Sequence, residues 1–350
     1  MKLLVVGLSF GQNYIQAAQK SNNWEIAGIV ARTKESLKNV GDKYGIGPRD
    51  RYQDLKMALN GCKELDAVAI TTPNKLHFPM AKMVLEHDKH LMLEKPIVET
   101  WQQAIELVAL LDQKGKKACV GQSLRGDYMI RMMEHFLREG IIGKIETLQF
   151  ENHWYWTGDP EKEWRFKLPH MFMDDIAIHQ IDEIRMLLGN SKAKQIMAAS
   201  HTPSFYPIKS LFTTASGIWT MEDGAHVNYF GSMGLKGKVE GWYGRVNIFG
   251  DKGSMFRESS GQPFVYLDGK KEPIGLDDEY GEDLDELIPL FEFEKIPYIV
   301  EDFYHAINGD RAPITDLHDN LNTFAIMLAM KRSSNEHRTI LLDDEFPLKT

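Results

Sequence analysis

Short apolar runs alternate with amphipathic stretches through the first third of the chain. Apolar runs that end at turn residues predict strands over residues 3–6, 25–30, 65–71 and 91–93. Apolar residues at helical spacing predict helices between them, including residues 34–44, 76–85 and 101–113. Strands that alternate with helices in this way form right-handed βαβ units. Residues 1–122 are therefore predicted to form a doubly wound, parallel α/β domain of the nucleotide-binding kind.

The remainder of the chain has long runs in which apolar and polar residues alternate. After a helix over residues 125–139, strands are predicted over residues 145–156, 195–199, 216–221, 225–230, 238–242 and 245–249. Turn sequences at 222–224 and 250–253 join neighbouring strands as hairpins. Helices over 299–307 and 321–333 follow an acidic stretch, 276–290, which is interpreted as a loop. Residues 123–350 are therefore predicted to form an α+β domain with a large, mostly antiparallel open sheet.

Composition and charge exclude several classes of protein. A chain of 350 residues exceeds the usual size of a single core, so two domains are expected. The net charge of −9 argues against a general nucleic-acid binder. Cys62 and Cys119 are the only cysteines, and no histidine pair accompanies them at ligand spacing, so a disulfide framework or zinc site is not expected. Without a membrane-spanning run or a signal peptide, the protein is predicted to be cytoplasmic and to have no membrane partner.

A lysine follows the predicted strand 91–93, in the sequence Glu94-Lys95-Pro96. Proline has no N–H for a sheet ladder, so the strand ends here and Lys95 lies at its carboxyl end. Ligands bind at that edge of open parallel sheets, where an amine is well placed for chemistry. A surface lysine just after a strand is the alternative that this segment alone leaves open.

The first predicted strand ends in a turn that partly matches the dinucleotide-binding sequence G-x-G-x-x-G. Ser9 and Gln12 stand where that sequence has its second and third glycines. We predict that Gly7, Ser9, Phe10, Gly11 and Gln12 bind the coenzyme, because the helix that follows offers free amides to a pyrophosphate. An ordinary strand-to-helix turn is the alternative.

The strand predicted over 65–71 ends at Thr72, Pro73 and Asn74, and His77 follows. These residues lie at the same sheet edge as Lys95, which predicts that they contact the coenzyme. Capping of the next helix by Asn74 is the ordinary alternative.

Polar residues in the second half of the chain recur on one face of a predicted helix. At 3.6 residues per turn, Asp175, His179 and Asp182 share a face, and an apolar stripe lies opposite. A histidine one turn from a carboxylate is typical of an oriented acid or base. A face in contact with solvent is the alternative, and spacing alone does not separate the two.

An aromatic and basic segment precedes this helix. Trp164 and Arg165 could stack on and hydrogen-bond a hydroxylated ring, which makes them candidate substrate-binding residues. Packing in the core is the alternative for most rings nearby, and it is the favoured interpretation for Trp156.

The end of the second strand favours NADP over NAD. An acidic residue about 20 positions beyond the glycine turn usually binds the ribose hydroxyls and repels a 2′-phosphate. Residues 30–34 contain no carboxylate, whereas Arg32 offers a guanidinium and Thr33 a hydroxyl to a phosphate. We predict an NADP site with NAD as the alternative coenzyme, since Arg32 could instead point into water.

Together these segments resemble the Gfo/Idh/MocA family, named for glucose-fructose oxidoreductase, inositol dehydrogenase and a rhizopine-catabolism protein. The resemblance runs nearly end to end, and its most specific parts are the Glu94-Lys95-Pro96 triplet and the Asp175-x-x-x-His179-x-x-Asp182 helix. It implies a Rossmann domain, a C-terminal domain whose sheet builds homodimers or homotetramers, and hydride transfer between a nicotinamide and a sugar, cyclitol or related polyol.

The resemblance also implies roles for individual residues. Lys95 would bind and polarise the reacting oxygen, Asp175 would hold the substrate, and His179 would be the proton acid or base. Glu94 would contribute to the coenzyme site and Arg125 to the substrate site. The chain departs from the family pattern at Ser9 and Gln12 and at residues 169–173, which replace a glycine-rich run. No metal is required by this set of residues.

Two other functions agree with the same residues. One is a hydrolase, lyase or epimerase that keeps NAD bound and uses transient oxidation. The other is a sugar- or nucleotide-binding regulatory protein that has the fold without turnover.

Overall fold

The computed structural model of the protein describes residues 1–348 except 160, 238, 260 and 277–292. The chain forms two compact units, which we call the N-terminal unit (1–127 and 290–321) and the C-terminal unit (128–289 and 322–350). The sequence placed 290–321 in the second predicted domain, 123–350. In the structure the described part of this stretch, 293–321, packs with the N-terminal unit.

The N-terminal unit contains a six-stranded parallel sheet, which confirms the predicted fold class. Its strands are β1 (Lys2–Val6), β2 (Glu25–Val30), β3 (Arg51–Tyr52), β4 (Ala67–Ile70), β5 (His90–Leu93) and β6 (Ala118–Val120). Their order is β3-β2-β1-β4-β5-β6, so the winding reverses between β1 and β4. Both faces of such a sheet are covered by helices, which explains why the central strands are apolar throughout. Ligands of this fold bind where the winding reverses, at the carboxyl ends of the strands.

Five helices connect these strands. They are α1 (Gln12–Lys20), α2 (Lys34–Lys43), α3 (Leu55–Gly61), α4 (His77–Glu86) and α5 (Trp101–Lys114). Helix α5 begins with a capping box between Thr100 and Gln103 and ends at Gly115, whose φ of +59° suits glycine. The strand β3 and the helix α3 lie in a stretch for which no element was predicted.

Residues 293–321 join the N-terminal unit through helix α8 (Ile296–Asn308). The indole of Trp24 donates a hydrogen bond to the Val300 carbonyl at 3.0 Å. At the other end of α8, the Lys117 ammonium donates to three carbonyls at and beyond the helix terminus, those of Ala306, Gly309 and Arg311. A cation at a helix C-terminus satisfies unpaired carbonyls and complements the helix dipole. Of the loop predicted over 276–290, residues 277–290 lie outside the described residues.

The C-terminal unit is built on a nine-stranded, largely antiparallel sheet, as predicted. Its strands are β7 (Ile145–His153), β8 (Ala193–His201), β9 (Thr214–Met221), β10 (His226–Ser232), β11 (Arg245–Gly250), β12 (Gly253–Arg257), β13 (Phe264–Leu267), β14 (Ile274–Gly275) and β15 (Ile340–Leu341). Their order is β14-β13-β12-β11-β7-β10-β9-β8-β15, with β7 and β10 parallel. The strand predicted over 238–242 is wrong for its described residues, because 239–244 form a loop with Gly241 and Gly244 at positive φ.

Helices of the C-terminal unit are α6 (Tyr128–Arg138), α7 (Ile178–Leu187), α9 (Leu317–Glu336) and α10 (Leu342–Glu345), of which α9 begins in the N-terminal unit. On one side of the sheet, the Tyr229 hydroxyl of β10 donates to Gln180 of α7 at 2.6 Å. The other side exposes apolar side chains, among them Met197, Ile218 and Phe249. None of the helices in the described part of the chain is long and apolar enough to cross a membrane.

Candidate active site

The glycine turn lies at the point where the winding of the parallel sheet reverses. Gly7 has a φ of +90°, and its carbonyl accepts a hydrogen bond from the Thr71 hydroxyl at 2.7 Å. A Cβ atom on Gly11 would collide with the Gly7 carbonyl oxygen, so neither position has room for a side chain. Helix α1 starts directly afterwards and has no acidic residue in its first turn. This cradle fits the pyrophosphate of a dinucleotide, because amides at a helix N-terminus attract an anion.

The two departures from the glycine pattern have different environments. Ser9 and its neighbour Phe10 are exposed at the turn. Gln12 begins α1, and its amide nitrogen donates to the Leu8 carbonyl at 3.1 Å while its oxygen accepts from Lys43 at 2.9 Å. The Gln12 side chain thus forms hydrogen bonds with the turn and with α2.

Lys95 is half-buried just beyond β5, and a buried carboxyl precedes it. Glu94 accepts a hydrogen bond from the Tyr14 hydroxyl of α1 at 2.7 Å and another from the Lys95 N–H at 3.2 Å. A side chain at Gly121 would collide with this carboxyl group, which explains the glycine after β6. Burial raises the pKa of Glu94 to about 7, although the bond from Tyr14 opposes that rise.

The residues after β4 mostly contact main-chain atoms. His77 is 1% exposed, and its ring nitrogens lie 2.8 Å from the Pro96 carbonyl oxygen and 2.7 Å from that of Thr72. Asn74 accepts from the N–H of Lys75 at 3.0 Å, at the start of a short 3-10 turn. The edge therefore brings Thr72, His77 and the Lys95 segment together.

Arg32 and Thr33, which the sequence predicts to bind the 2′-phosphate of NADP, follow the end of β2. Arg32 and Thr33 are exposed. The Thr33 hydroxyl oxygen caps α2 by accepting from the Ser36 N–H at 3.2 Å. The first carboxylate after the strand is Glu35, in the first turn of α2.

In the C-terminal unit, Asp175 lies on a π turn, Met173–Ala177, that leads into α7. Such turns are frequent at functional sites. Arg165 Nε donates to the Asp175 carboxylate at 2.5 Å, and the guanidinium carbon lies 5.0 Å from the Trp164 ring and 5.8 Å from that of Trp156. The structure thus joins two predicted site residues in one ion pair, with aromatic rings beside the cation. Trp156, expected in the core, is half-buried next to it.

His179 is buried on the first turn of α7, where its ring meets Trp242 edge to face with ring centroids 5.9 Å apart. The Trp242 side chain is 42% exposed. Sequence reasoning missed this residue, because it assigned 238–242 to a strand. Asn152 holds the loop through hydrogen bonds from its amide to the carbonyls of Gly241 and Trp242. The two glycines that flank Trp242, Gly241 and Gly244, could have indicated that this tryptophan lies in a loop.

Helix α7 is buried on every side, so the alternative of a polar face in contact with solvent is wrong. All ten of its residues are buried, and several of its polar side chains contact other elements of the unit. Thr323 of α9 donates to Asp182 at 2.6 Å. Glu183 forms a salt bridge of 2.7 Å with Arg257 of β12, and both side chains are fully buried. Periodicity does not distinguish a polar face in solvent from one that meets buried partners.

Two further predicted residues differ in exposure. Trp164 is 52% exposed and so offers a ring face to a ligand. Arg125 is buried beside α9, where it contacts Asp319 at 3.0 Å and donates to the Ile314 carbonyl at 3.2 Å. Its substrate-binding role stays a prediction.

Residues 169–173, which replace a glycine-rich run of the family pattern, place large side chains in the interior of the C-terminal unit. His170, Met171, Phe172 and Met173 are all buried. Across from them, a Cβ atom on Gly231 would collide with the Phe172 ring. Larger side chains before the π turn are thus accommodated by a small residue on β10.

Comparisons with known proteins agree with this description. Residues 1–122 match the model of an oxidoreductase family with an NAD-binding Rossmann fold, and residues 130–256 match the GFO/IDH/MocA C-terminal domain. The uncharacterized oxidoreductase YfiI of Bacillus subtilis is 27% identical over 65% of this chain and 61% of its own length. The scyllo-inositol 2-dehydrogenase (NADP(+)) IolW of the same bacterium is 25% identical over 80% of this chain and 79% of its own.

A solved structure shares the fold across nearly the whole chain. It is an oxidoreductase from Agrobacterium radiobacter in complex with NAD+, L-tartaric acid and magnesium. It has a TM-score of 0.85 and 19% identity, with 98% of this chain and 99% of that chain covered. At this identity the likeness concerns the fold.

Proposed function

Because the chain belongs to the Gfo/Idh/MocA family of oxidoreductases, we propose that it transfers hydride between NADP and a hydroxyl or keto carbon of a sugar, cyclitol or related polyol. The observation that carries this proposal is the sheet edge of the N-terminal unit. There the glycine cradle follows β1 and Lys95 follows β5, on either side of β4. A dinucleotide site and a fixed amine at one edge are what such a reaction requires.

Lys95, Asp175 and His179 each have a role in the proposed mechanism. The nicotinamide, when bound, supplies or accepts the hydride. Lys95 hydrogen-bonds the reacting oxygen and stabilises the charge that develops there. His179 takes the hydroxyl proton during oxidation and returns it during reduction. Asp175, paired with Arg165, accepts hydrogen bonds from substrate hydroxyls.

A ring substrate is favoured by the aromatic residues of the C-terminal unit. Trp242 and Trp164 are partly exposed beside His179 and the Arg165–Asp175 pair. Hydroxylated rings combine an apolar C–H face, which packs on an indole, with hydroxyls that need charged or polar partners. The name of the relative IolW, an inositol dehydrogenase, supports the same substrate class.

The test is absorbance at the reduced-nicotinamide band with a panel of aldoses, sugar acids, inositols and nucleotide sugars. We expect NADPH to form in step with product for at least one class. Product without a matching amount of NADPH would instead indicate transient oxidation by a retained coenzyme. Coenzyme and sugar binding with no turnover would indicate a regulatory protein.

Preference for NADP is supported by the end of β2, where Arg32 is exposed and residues 30–34 have no carboxylate. One charge-assisted bond to the 2′-phosphate, worth about 1.5–3 kcal/mol, would set a preference of about tenfold or more. Ala31→Asp should lower or reverse the ratio of kcat/KM for NADP over NAD, because the new carboxylate repels the phosphate. Ala31→Asn, of similar size and uncharged, is the control. A wild-type preference for NAD would contradict this assignment.

Subunits are proposed to pair through the open face of the C-terminal sheet as a homodimer or homotetramer. Met197 and Ile218 are exposed there, around an open depression of about 670 Å³. A large apolar face of this kind is usually covered in solution. Light scattering at micromolar concentration tests the proposal, and a monomer would contradict it.

A further inference from the structure

His77 uses both of its ring nitrogens inside the N-terminal unit. The residue opens α4, and the contacts run from Nδ1 to the Pro96 carbonyl oxygen at 2.8 Å and from Nε2 to the Thr72 carbonyl oxygen at 2.7 Å. Thr72 follows β4 and Pro96 follows β5, which are neighbouring strands of the sheet. The imidazole thus bridges the two strand ends from within the protein, since its residue is only 1% exposed.

The chemistry of these contacts limits what else the ring can do. A carbonyl oxygen only accepts hydrogen bonds, so each contact needs an N–H from the ring. The neutral ring carries one N–H and serves one carbonyl at a time, whereas the protonated ring serves both. Burial lowers the pKa of His77, while backbone hydrogen bonds with Pro96, Thr72 and Ile97 oppose that change. In either form both ring nitrogens face carbonyl oxygens of the protein, so neither is directed toward a coenzyme.

From this geometry we propose that His77 is a positioning residue that fixes the main chain around Lys95, rather than a residue that binds the coenzyme. Pro96 is the residue directly after Lys95, and its carbonyl is the one that His77 contacts. On the other side, Glu94 accepts from the Lys95 N–H and is itself held by Tyr14. Two buried side chains therefore secure the peptide segments immediately before and after the lysine.

The expected effect on catalysis rests on the proposed function. A reactive group displaced by about 1 Å can lower the rate by about 10²-fold. Replacing His77 by alanine removes a contact that holds the main chain directly after Lys95, so we expect kcat to fall about 10- to 100-fold. The dissociation constant for NADPH, measured by fluorescence titration, should change by less than about threefold, because no contact with the coenzyme is lost.

A double-mutant cycle tests whether His77 acts through Lys95. Turnover is compared in wild type, His77→Ala, Lys95→Ala and the double variant. If His77 only positions Lys95, its removal should have little further effect once the amine is gone. His87→Ala is the matched control, because His87 contacts a backbone carbonyl, that of Met83, at the other end of α4. Additive losses, or a higher dissociation constant for NADPH with unchanged kcat, would overturn the proposal.

A second measurement does not depend on turnover. Hydrogen–deuterium exchange should be faster at the Lys95 and Ile97 amides in His77→Ala than in wild type or His87→Ala. His77→Gln retains an N–H donor, should partly restore slow exchange, and serves if the alanine variant does not fold. Equal exchange at these amides in every folded variant would refute the positioning role. A wild type inactive toward the whole panel would refute the proposed function, while the exchange experiment would still decide the role of His77.

Discussion

The two units hold their candidate reactive groups in different ways. In the N-terminal unit, Lys95 is secured through its own main chain and that of Pro96, by the buried side chains of Glu94 and His77. The contacts lie within a few residues of the ends of β4 and β5. A parallel sheet with buried faces has its free hydrogen-bonding groups at the strand ends, so main-chain contacts accumulate there.

In the C-terminal unit, the corresponding groups are secured through side chains. Asp175 meets Arg165, and His179 meets Trp242 from a loop more than 60 positions away in the sequence. The helix that carries His179 is itself held by the buried ion pair of Glu183 and Arg257. A short motif can therefore specify the first arrangement, whereas the second depends on partners spread over the whole unit.

The largest expected effect comes from the C-terminal side of the comparison. His179→Ala should lower kcat by about 10²- to 10⁴-fold, because a positioned acid or base contributes about that much. Affinity for NADPH should stay nearly constant. His226→Ala, which removes an exposed histidine of β10, is the control. Turnover that is unchanged in His179→Ala would remove this residue from the mechanism.

A second prediction concerns the N-terminal side, where Glu94 has a pKa of about 7 against an ordinary value of 4.5. Because the folded state holds this proton more tightly, the group stabilises the fold below about pH 4.5, and that contribution is lost as the pH rises through 7. The change amounts to about 3 kcal/mol at most. We expect Glu94→Gln to gain stability relative to wild type between pH 4.5 and 7, measured by urea unfolding.

The control for this titration is Glu99→Gln, which alters an exposed carboxyl shortly after the same strand. Its stability difference from wild type, measured over the same pH range, is the reference for the Glu94→Gln difference. A difference between Glu94→Gln and wild type with the same pH dependence as this reference would show that the buried carboxyl does not titrate there. The hydrogen bond from the Lys95 N–H to Glu94 would then not depend on protonation of the Glu94 carboxyl near neutral pH.

The smallest expected effect concerns the aromatic partner of His179. Ring contacts of this kind are worth about 0.5–1.5 kcal/mol, so Trp242→Ala should raise KM for a ring substrate by about 2- to 10-fold. Trp242→Phe should retain most of the affinity. Phe205→Ala removes another half-exposed ring of the same unit and is the control. Equal KM values in wild type and Trp242→Ala would exclude a stacking role for Trp242.

Much of the N-terminal unit could be predicted from the sequence. The strand at 25–30 matches its predicted bounds, and α2 and α5 differ from theirs by one residue. Apolar runs and turn residues suffice there, because a strand buried on both faces is apolar throughout. The loop at 239–244 was misassigned because its apolar and aromatic residues mimic a strand, while glycines at positive φ end the ladder.

Local sequence patterns are sufficient to predict the doubly wound sheet, the edge at which Lys95 lies and the mostly antiparallel second sheet. These follow from local periodicity and turn chemistry, which neighbouring residues specify. Tertiary structure alone decided the packing of α8 on the N-terminal unit, the bridge made by His77, and the partners of Asp175 and His179. Each of these depends on which groups meet after folding. Burying a polar group without a hydrogen-bond partner costs free energy, so these groups are paired with whatever partner the fold brings close. Local motifs therefore identify the candidate site residues, whereas their contacts depend on residues that are distant in the sequence.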